Sequence, residues 1–331
     1  MNSVMILMYN MNKYINKILN NKNQLGYYIF YLPRKLFFKY CSSYFDKKIA
    51  QLVISKNVKT DEDEMLLFSS FKVGSEDRQN IMAETLKVTF KEFEASFGGR
   101  IEIADSSDGK YFEENKLMIS NILKKNISFN LQNKKASLPQ SYSNILYNSK
   151  ERFFTSFFDD QPIVGLTTDF LLSACTLLAD FNNFVGLIAF EYPSKYILDH
   201  KSKKIVISLE DIEFKSRKIE LIRIVKYGKY SFAILRNYHY GFFFNNMIGR
   251  TRDYCDKLAW YMKHINTDSP HEIELAGMRK IGPVYNYIAV PMNVFMLDLD
   301  FVHTDIAIRI SGEINKDLFE AVKNGYEINY K

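Results

Sequence analysis

Residues 75–109, SEDRQNIMAETLKVTFKEFEASFGGRIEIADSSDG, carry the clearest local pattern in this chain of 331 residues. Large apolar residues recur there at three- and four-residue steps, which predicts one apolar helix face. They are Met82, Leu86, Phe90, Phe93 and Phe97. Ser75 is a favourable N-cap and Gly98-Gly99 can end the helix. The stretch therefore predicts a helix over 75–97, a strand over 101–104 and a turn at Asp108-Gly109.

The pattern toward the C-terminus changes from helix to strand. A second helix is predicted at 112–125, and the polar residues 126–161 are interpreted as a connecting region. Beyond them, strands are predicted at 185–192, 204–208, 212–215, 219–227, 230–244, 272–279, 284–302 and 305–311. Single helices at 166–181, 246–264 and 315–323 interrupt these strands, and Gly228-Lys229 suits a hairpin turn. Because strands and helices do not alternate regularly, the sequence predicts an α+β fold with a mostly antiparallel sheet.

The N-terminal segment differs from the rest in charge. Residues 1–60 hold ten basic side chains and one acidic residue, Asp46, which gives +9 in a chain of net charge +6. Residues 61–331 therefore carry −3. An acidic run, 61–64, follows the segment and suggests a boundary. We predict a helical basic aromatic arm at 1–60, with helices at 10–20 and 35–54, a helix-rich α+β region at 61–160 and a strand-rich region at 161–331.

The arm combines basic and aromatic side chains. Lysine and arginine can neutralise phosphates while tyrosine and phenylalanine stack on unpaired bases. The candidate nucleic-acid-binding residues are Lys13, Lys17, Lys22, Arg34, Lys35, Lys39, Tyr27 and Tyr28. Two alternatives stay open. The aromatic rings pack on the body while the lysines are solvated, or the arm lies on an anionic membrane surface.

Cysteine usage and hydropathy bear on the compartment. Cys41, Cys175 and Cys255 lie far apart, a spacing that favours neither a disulfide framework nor a zinc site. There is no uninterrupted apolar run of membrane-spanning length and no convincing signal peptide. These observations predict a reducing, intracellular and cytoplasmic setting.

A cluster of metal-ligating residue types lies near the C-terminus, at Asp298, Asp300, His303 and Asp305. Strand alternation puts Asp298 and Asp300 on one face, where they could hold a hard divalent cation. An apolar strand ending in Asp-x-Asp resembles the first motif of haloacid-dehalogenase-type phosphatases and the metal-binding strand of several polymerases and glycosyltransferases. Only 26 residues follow Asp305, which excludes the phosphatases. We interpret the aspartates as the polar side of a half-exposed strand, and no metal or cofactor is predicted.

A second candidate consists of Asp199, Glu213 and Lys215. An acid followed by E-x-K resembles the active site of restriction-endonuclease-like nucleases. In that family the acids bind Mg²⁺ and the lysine stabilises the attacking water. The alternative is that Glu213 and Lys215 are ordinary outward-facing residues of a strand.

Motifs of the common enzyme classes are absent from the sequence. It has no HExxH, no G-x-S-x-G and no glycine-rich phosphate loop. The leading functional prediction is a non-enzymatic structural or assembly protein, of viral or ribonucleoprotein type, with the arm contacting nucleic acid or neighbouring subunits. Self-association is the main expected partnership, and no small-molecule substrate is inferred. The alternative is a metal-dependent nuclease or phosphodiesterase.

Overall fold

The computed structural model describes residues 42–54, 60–93, 97–107, 109–123, 128–131, 137–193, 196–207, 220–237, 246–265, 269, 285–297, 299 and 316–330. Its helices are α1 (Ser42–Gln51), α2 (Glu76–Thr89), α3 (Gly109–Leu123), α4 (Leu138–Tyr147), α5 (Thr168–Asp180), α6 (Thr251–Ile265) and α7 (316–323), with a 3-10 turn at Glu62–Glu64. Its strands are β1 (Met65–Phe71), β2 (Arg100–Asp105), β3 (Ser128–Leu131), β4 (Phe153–Ser156), β5 (Ile163–Val164), β6 (Val185–Ala189), β7 (Tyr196–Asp199), β8 (Lys204–Ile207), β9 (Glu220–Tyr227), β10 (Tyr230–Arg236), β11 (Met247–Arg250), β12 (Tyr287–Pro291), β13 (Phe295–Met296) and β14 (Glu327–Tyr330).

The main sheet of the described chain has nine strands in the order β3-β2-β1-β4-β11-β6-β12-β10-β9. Strands β3, β2, β1 and β4 are mutually parallel. Strand β11 is antiparallel to both of its neighbours, β12 is parallel to β6, and β10 and β9 continue antiparallel. The predicted α+β fold with a mostly antiparallel sheet is therefore wrong, because one end of the sheet is a parallel α/β unit.

Two features hid the parallel unit in the sequence. All seven residues of β1 are buried, so the strand reads as an apolar run without the alternation of a half-exposed strand. Strands β3 and β4 and helix α4 lie within residues 126–161, which were interpreted as connecting chain. Pro139 of this stretch lies in the first turn of α4, where proline is well tolerated.

Helices cover both faces of the main sheet. Met65 and Leu67 of β1 belong to the apolar cluster formed with α2, α3 and α5. The alternate residues Leu66 and Phe68 belong to a second cluster, formed with α4 and α6. The fold is thus a three-layer α/β/α arrangement, in which β1 is buried on both sides.

Helix α2 confirms the amphipathic face predicted for it but not its length. Met82, Leu86 and Phe90 are buried as expected, and Phe93 packs against the same cluster while half-buried. The helix is capped at Ser75, whose hydroxyl accepts a hydrogen bond from the Arg78 amide at 3.2 Å, and it ends at Thr89, eight residues before the predicted end.

The last part of the predicted arm packs on the body. Ile49 of α1 is fully buried in the core, and Arg223 of β9 donates to the Leu52 carbonyl oxygen at 2.7 Å. Asp46 pairs with Arg236 of β10 and accepts a hydrogen bond from the Tyr287 hydroxyl at 3.0 Å. All eight candidate nucleic-acid-binding residues lie outside the described residues, and the division into three regions stays a prediction.

The chain also forms two small sheets, β13-β5 and β14-β8-β7, the latter packed against α7. None of the helices in the described part of the chain is both long and apolar enough to span a lipid bilayer.

Candidate functional site

The order of the parallel strands defines a point where a ligand site is expected. From β1 the chain crosses through α2 to β2 and through α3 to β3 on one side, and it returns through α4 to β4 on the other side of β1. Open α/β sheets bind ligands outside the carboxyl ends of the strands at such a reversal. The loops after Phe71, Asp105 and Ser156 are therefore the expected walls of the site.

Two consecutive aspartates and an arginine meet at this point. Asp159 and Asp160 follow β4, and Arg78 lies in the first turn of α2. Arg78 Nε donates to Asp159 Oδ2 at 2.9 Å, and Arg78 Nη2 donates to Asp160 Oδ2 at 2.9 Å. The side chains of Asp159 and Asp160 are only 6% and 10% exposed, and that of Arg78 is 24% exposed. One guanidinium thus bridges two largely buried carboxylates.

The electrostatics of the cluster follow from burial and from charge. Burial on its own would lower the pKa of the Arg78 guanidinium. The carboxylates of Asp159 and Asp160 more than offset that effect, and the pKa is raised above its ordinary value. Arg78 therefore stays charged, and its contribution to the cluster is that of a permanent cation.

A buried polar network fixes the neighbouring loop after β2. Asp105 is fully buried, and its Oδ1 accepts a hydrogen bond from the Ser107 amide at 2.7 Å while Oδ2 accepts one from Asn115 Nδ2 at 3.0 Å. The Ser107 hydroxyl in turn accepts a hydrogen bond from the Val73 amide at 2.7 Å, which ties the β2–α3 loop to the loop after β1. Gln79 of α2 donates to Asn115 Oδ1 at 2.9 Å. The carboxyl edge of the sheet is therefore held in place on the β2 side.

The loop that carries the aspartates is fixed by two other segments. Asn246 Oδ1 accepts a hydrogen bond from the Phe158 amide at 2.9 Å, and its Nδ2 donates to the Gln161 carbonyl oxygen at 2.7 Å. The Leu299 amide donates to the Asp160 carbonyl oxygen at 2.9 Å. These bonds set the direction of the loop between β4 and β5.

The donor set at this point suits a hard cation. Within the described residues, no three His, Cys, Asp or Glu side chains converge on a common metal position. Asp159 and Asp160 supply carboxylate oxygens, the ligands that Mg²⁺ and similar ions prefer, and magnesium is commonly held by one or two carboxylates together with substrate phosphates. The pair already holds one cationic group, that of Arg78, and its oxygens are of the type that a divalent ion prefers.

The two predicted sites are only partly described. Asp199 lies at the end of β7, exposed, with its carboxylate bonded to Ser202 and to the Lys201 amide. The Ser202 hydroxyl is the main reason that the pKa of Asp199 is lowered. Its proposed partners Glu213 and Lys215 lie outside the described residues.

The cluster Asp298, Asp300, His303 and Asp305 also lies outside them. The described residues beside it, Leu297 and Leu299, bond through their amides to the carbonyl oxygens of Pro162 and Asp160. The structural role assigned to Asp298 and Asp300 stays a prediction.

Sequence reasoning missed Arg78, Asp105, Asp159 and Asp160. One signal was available: the phenylalanine-rich stretch 153–158 (FFTSFF) is followed at once by Asp159-Asp160, and the predicted strand 101–104 is followed by Asp105. In a parallel sheet both positions fall at the carboxyl edge. The signal was overlooked because the region before Asp159 was not interpreted as strands.

A cavity of about 430 Å³ lies elsewhere, lined by the end of α2, the β9–β10 turn and β14. Neither aspartate nor Arg78 lines it. Polar groups in its wall are bonded to each other: the hydroxyls of Thr167 and Tyr230 lie 2.6 Å apart, and the Tyr330 hydroxyl donates to the Asn293 carbonyl oxygen at 2.8 Å. Charged groups converge instead at the reversal between β1 and β4, the switch point, which is therefore the candidate site.

Comparison with known proteins returned similar structures but no similar sequences. No family model matches the chain, and no curated protein matches it. One similar structure is TarS residues 1–349 from S. aureus (11% identity, 70% of this chain and 59% of that one, TM-score 0.37). Another is the mannosyltransferase PcManGT from Pyrobaculum calidifontis with GDP-Man and Mn²⁺ (13%, 75% and 62%, TM-score 0.39). A third is GalNAc-T7 with UDP, GalNAc and Mn²⁺ (10%, 73% and 44%, TM-score 0.44). The chain thus spans between 44% and 62% of the length of these three proteins.

These findings correct the functional predictions. The similar structures include a mannosyltransferase, and none of the three is described as an assembly protein or a nuclease. They contradict the predicted non-enzymatic role and its nuclease alternative. The expectation of no small-molecule substrate is contradicted as well, since two of the three were solved with a nucleotide or nucleotide sugar.

Proposed function

We propose that this protein is a nucleotide-sugar-dependent glycosyltransferase whose nucleotide binds at the switch point between β1 and β4. One observation carries the proposal: the Asp159–Asp160 pair, bridged by Arg78, at the carboxyl end of β4. A buried acidic pair beside the loops that bind ligands in open α/β sheets suits a phosphorylated substrate only if a cation lies between the negative groups.

A divalent cation fits this arrangement. Asp159 and Asp160 would hold it, and when bound it would supply Lewis-acid stabilisation of the negative charge that develops on a departing diphosphate. Arg78 contributes a permanent positive charge beside the acidic pair, with a planar fork that matches carboxylate and phosphate oxygens.

The loops on either side of the acidic pair contribute rigidity. The Asp105 network and the Asn246 bonds hold the loops on either side of the acidic pair through hydrogen bonds of 2.7–3.0 Å between buried or partly buried groups. Groups fixed before the ligand arrives lose little conformational entropy on binding. Such a site suits a substrate that must be held in one orientation for group transfer.

The choice of nucleotide follows the ligands of the similar structures. GDP-Man is bound to the mannosyltransferase and UDP to GalNAc-T7, each with Mn²⁺. UDP, GDP and their sugar conjugates are therefore the ligands to test first. The reducing, intracellular compartment inferred from the cysteine spacing stays a prediction.

The test is binding of nucleoside diphosphates measured by thermal unfolding and calorimetry, with and without Mn²⁺. A ligand at 100 times its dissociation constant stabilises the folded state by about 2.7 kcal/mol. We expect UDP or GDP to raise the melting temperature only when Mn²⁺ is present. Asp160→Asn should abolish the increase, and the exposed Asp199→Asn is the matched control. Hydrolysis or transfer from the corresponding sugar nucleotide is then measured on the same variants. Failure of both UDP and GDP to stabilise the protein, or a stabilisation that Asp160→Asn leaves unchanged, would contradict the proposal.

A further inference from the structure

Arg78 lies where its single positive charge offsets one of the two negative charges of the acidic pair. Its backbone amide is bonded to the Ser75 cap, so the side chain starts from a fixed point in the first turn of α2. Two different guanidinium nitrogens each donate to a different aspartate, both at 2.9 Å. The guanidinium therefore spans the two carboxylates.

This arrangement sets up a competition. A divalent cation shared by Asp159 and Asp160 would draw on the same carboxylates that Arg78 engages through Asp159 Oδ2 and Asp160 Oδ2. Two positive groups between the same two carboxylates repel each other, and the repulsion is strong where the groups are largely out of water. The side chains of both aspartates are at most 10% exposed, which meets that condition.

We propose that Arg78 is the resident counter-ion of the acidic pair and that a divalent cation binds there only by displacing it. The inference rests on the proposed function for the presence of the cation. As a consequence, the wild-type protein binds a free divalent cation weakly, and Arg78 determines the dissociation constant.

The competition also explains how a nucleotide would favour metal binding. A diphosphate brings oxygens that complete the coordination of the cation and that also accept hydrogen bonds from a guanidinium. The displaced Arg78 then keeps a charged partner. For metal alone, Arg78 gives up its bonds to both carboxylates without gaining a diphosphate, which makes the exchange less favourable.

The experiment measures Mn²⁺ binding by calorimetry in the absence of nucleotide. Arg78→Gln should bind Mn²⁺ about tenfold more tightly than the wild type, because the competing charge is gone. Arg78→Lys should give a smaller gain, since an ammonium is a single charge without the bridging fork. Arg152→Gln is the matched control: Arg152 is half-exposed, pairs with Glu64 at 3.5 Å and should leave Mn²⁺ affinity unchanged. Asp160→Asn in the Arg78→Gln background should remove the gain. An Arg78→Gln affinity equal to or weaker than that of the wild type overturns the inference.

A second measurement covers loss of folding. Removing Arg78 leaves two neighbouring buried carboxylates without its charge, which destabilises the fold. If Arg78→Gln is unfolded or partly unfolded, Mn²⁺ should restore its melting temperature by a larger shift than it produces in the wild type. A variant that Mn²⁺ does not rescue contradicts the inference.

Parallel titrations with UDP and GDP separate the two proposals. Tighter Mn²⁺ binding by Arg78→Gln without nucleotide binding by any variant contradicts the proposed function alone. Nucleotide binding by the wild type without any gain in Mn²⁺ affinity contradicts the counter-ion role alone.

Discussion

The two ends of the main sheet are built on different principles. In the part formed by β3, β2, β1 and β4, all strands run in the same direction, and β2, β3 and β4 are each reached through a helix. In the part formed by β12, β10 and β9, neighbouring strands reverse, as at the tight turn with Gly228 in a left-handed conformation. The parallel part brings the carboxyl ends of β1, β2 and β4 to one edge, and there the charged residues of loops distant in sequence converge.

This difference explains the position of the candidate site. Arg78 and its two aspartate partners are 81 and 82 residues apart in the sequence, and a parallel crossover brings them to the same edge. Reversing strands place successive loops at opposite edges, which disperses polar groups. The same difference predicts which substitutions lower the free energy of unfolding most.

The seam between the two parts, where β4 pairs with β11, should be the position at which substitutions destabilise the fold most. Phe154 of β4 is fully buried, and its ring lies over Gly249 of β11 and 4.9 Å from the ring of Tyr254. Phe154→Ala should cost about 3–5 kcal/mol in the free energy of unfolding, the usual range for a buried aromatic residue. Urea denaturation measures it, with the exposed Leu221→Ala on edge strand β9 as the control. If the two substitutions cost the same, the seam is not a packed interior.

The far edge of the antiparallel part tests whether α1 belongs to the fold. Ile49 is fully buried, whereas Val53, four residues later, is almost fully exposed. Ile49→Ala should destabilise the protein by about 2–5 kcal/mol. Val53→Ala should change the free energy of unfolding by less than about 0.5 kcal/mol. Two equally small effects would restore the idea of α1 as part of an independent arm.

Glycine in the middle of the sheet provides a third test. A Cβ on Gly186 of β6 would lie 1.7 Å from the Tyr285 ring, so Gly186→Ala forces that ring to move. We expect a loss of about 1–3 kcal/mol, as for other overpacked interiors. Gly74, in the loop beside the candidate site, has open space around it, with no atom within 4 Å of the position that a Cβ would take, and Gly74→Ala should be close to neutral. Thermal unfolding of both variants measures the difference in stability between them. Equal stability would show that the Tyr285 ring does not pack against Gly186.

The smallest expected effect concerns a surface contact of α2. Hydrogen bonds from Lys323 and Lys87 lower the pKa of Glu84 below its ordinary value, and burial opposes them only in part. Because the pKa is lower in the folded state, the stabilisation is present above the unfolded value of about 4.3 and is lost as the pH falls through the folded value. Glu84→Gln should remove less than about 1 kcal/mol at neutral pH and should flatten the acid limb of the stability curve. An unchanged acid limb would show that the contact adds nothing.

Prediction from sequence succeeded where the local pattern and the structural role agree. The buried face of α2 was predicted from the spacing of Met82, Leu86 and Phe90, and the hairpin from Gly228-Lys229, because both depend on neighbours in the chain. It failed for β1 and β4, since a strand buried on both faces has no period of two. With β4 missed, Asp159-Asp160 could not be placed at a strand end, and the site was sought at other carboxylates.

The sequence by itself determined the helix caps, the turn glycines, the apolar faces and the charge contrast between residues 1–60 and the rest. These properties depend on a few residues in succession, each with its own backbone and solvation preferences. The tertiary structure alone decided the order and direction of the strands, and with them the meeting of Arg78, Asp159 and Asp160. Strand pairing joins segments far apart in the chain, and the free energy of that pairing comes from burial on both faces at once, which no single segment encodes.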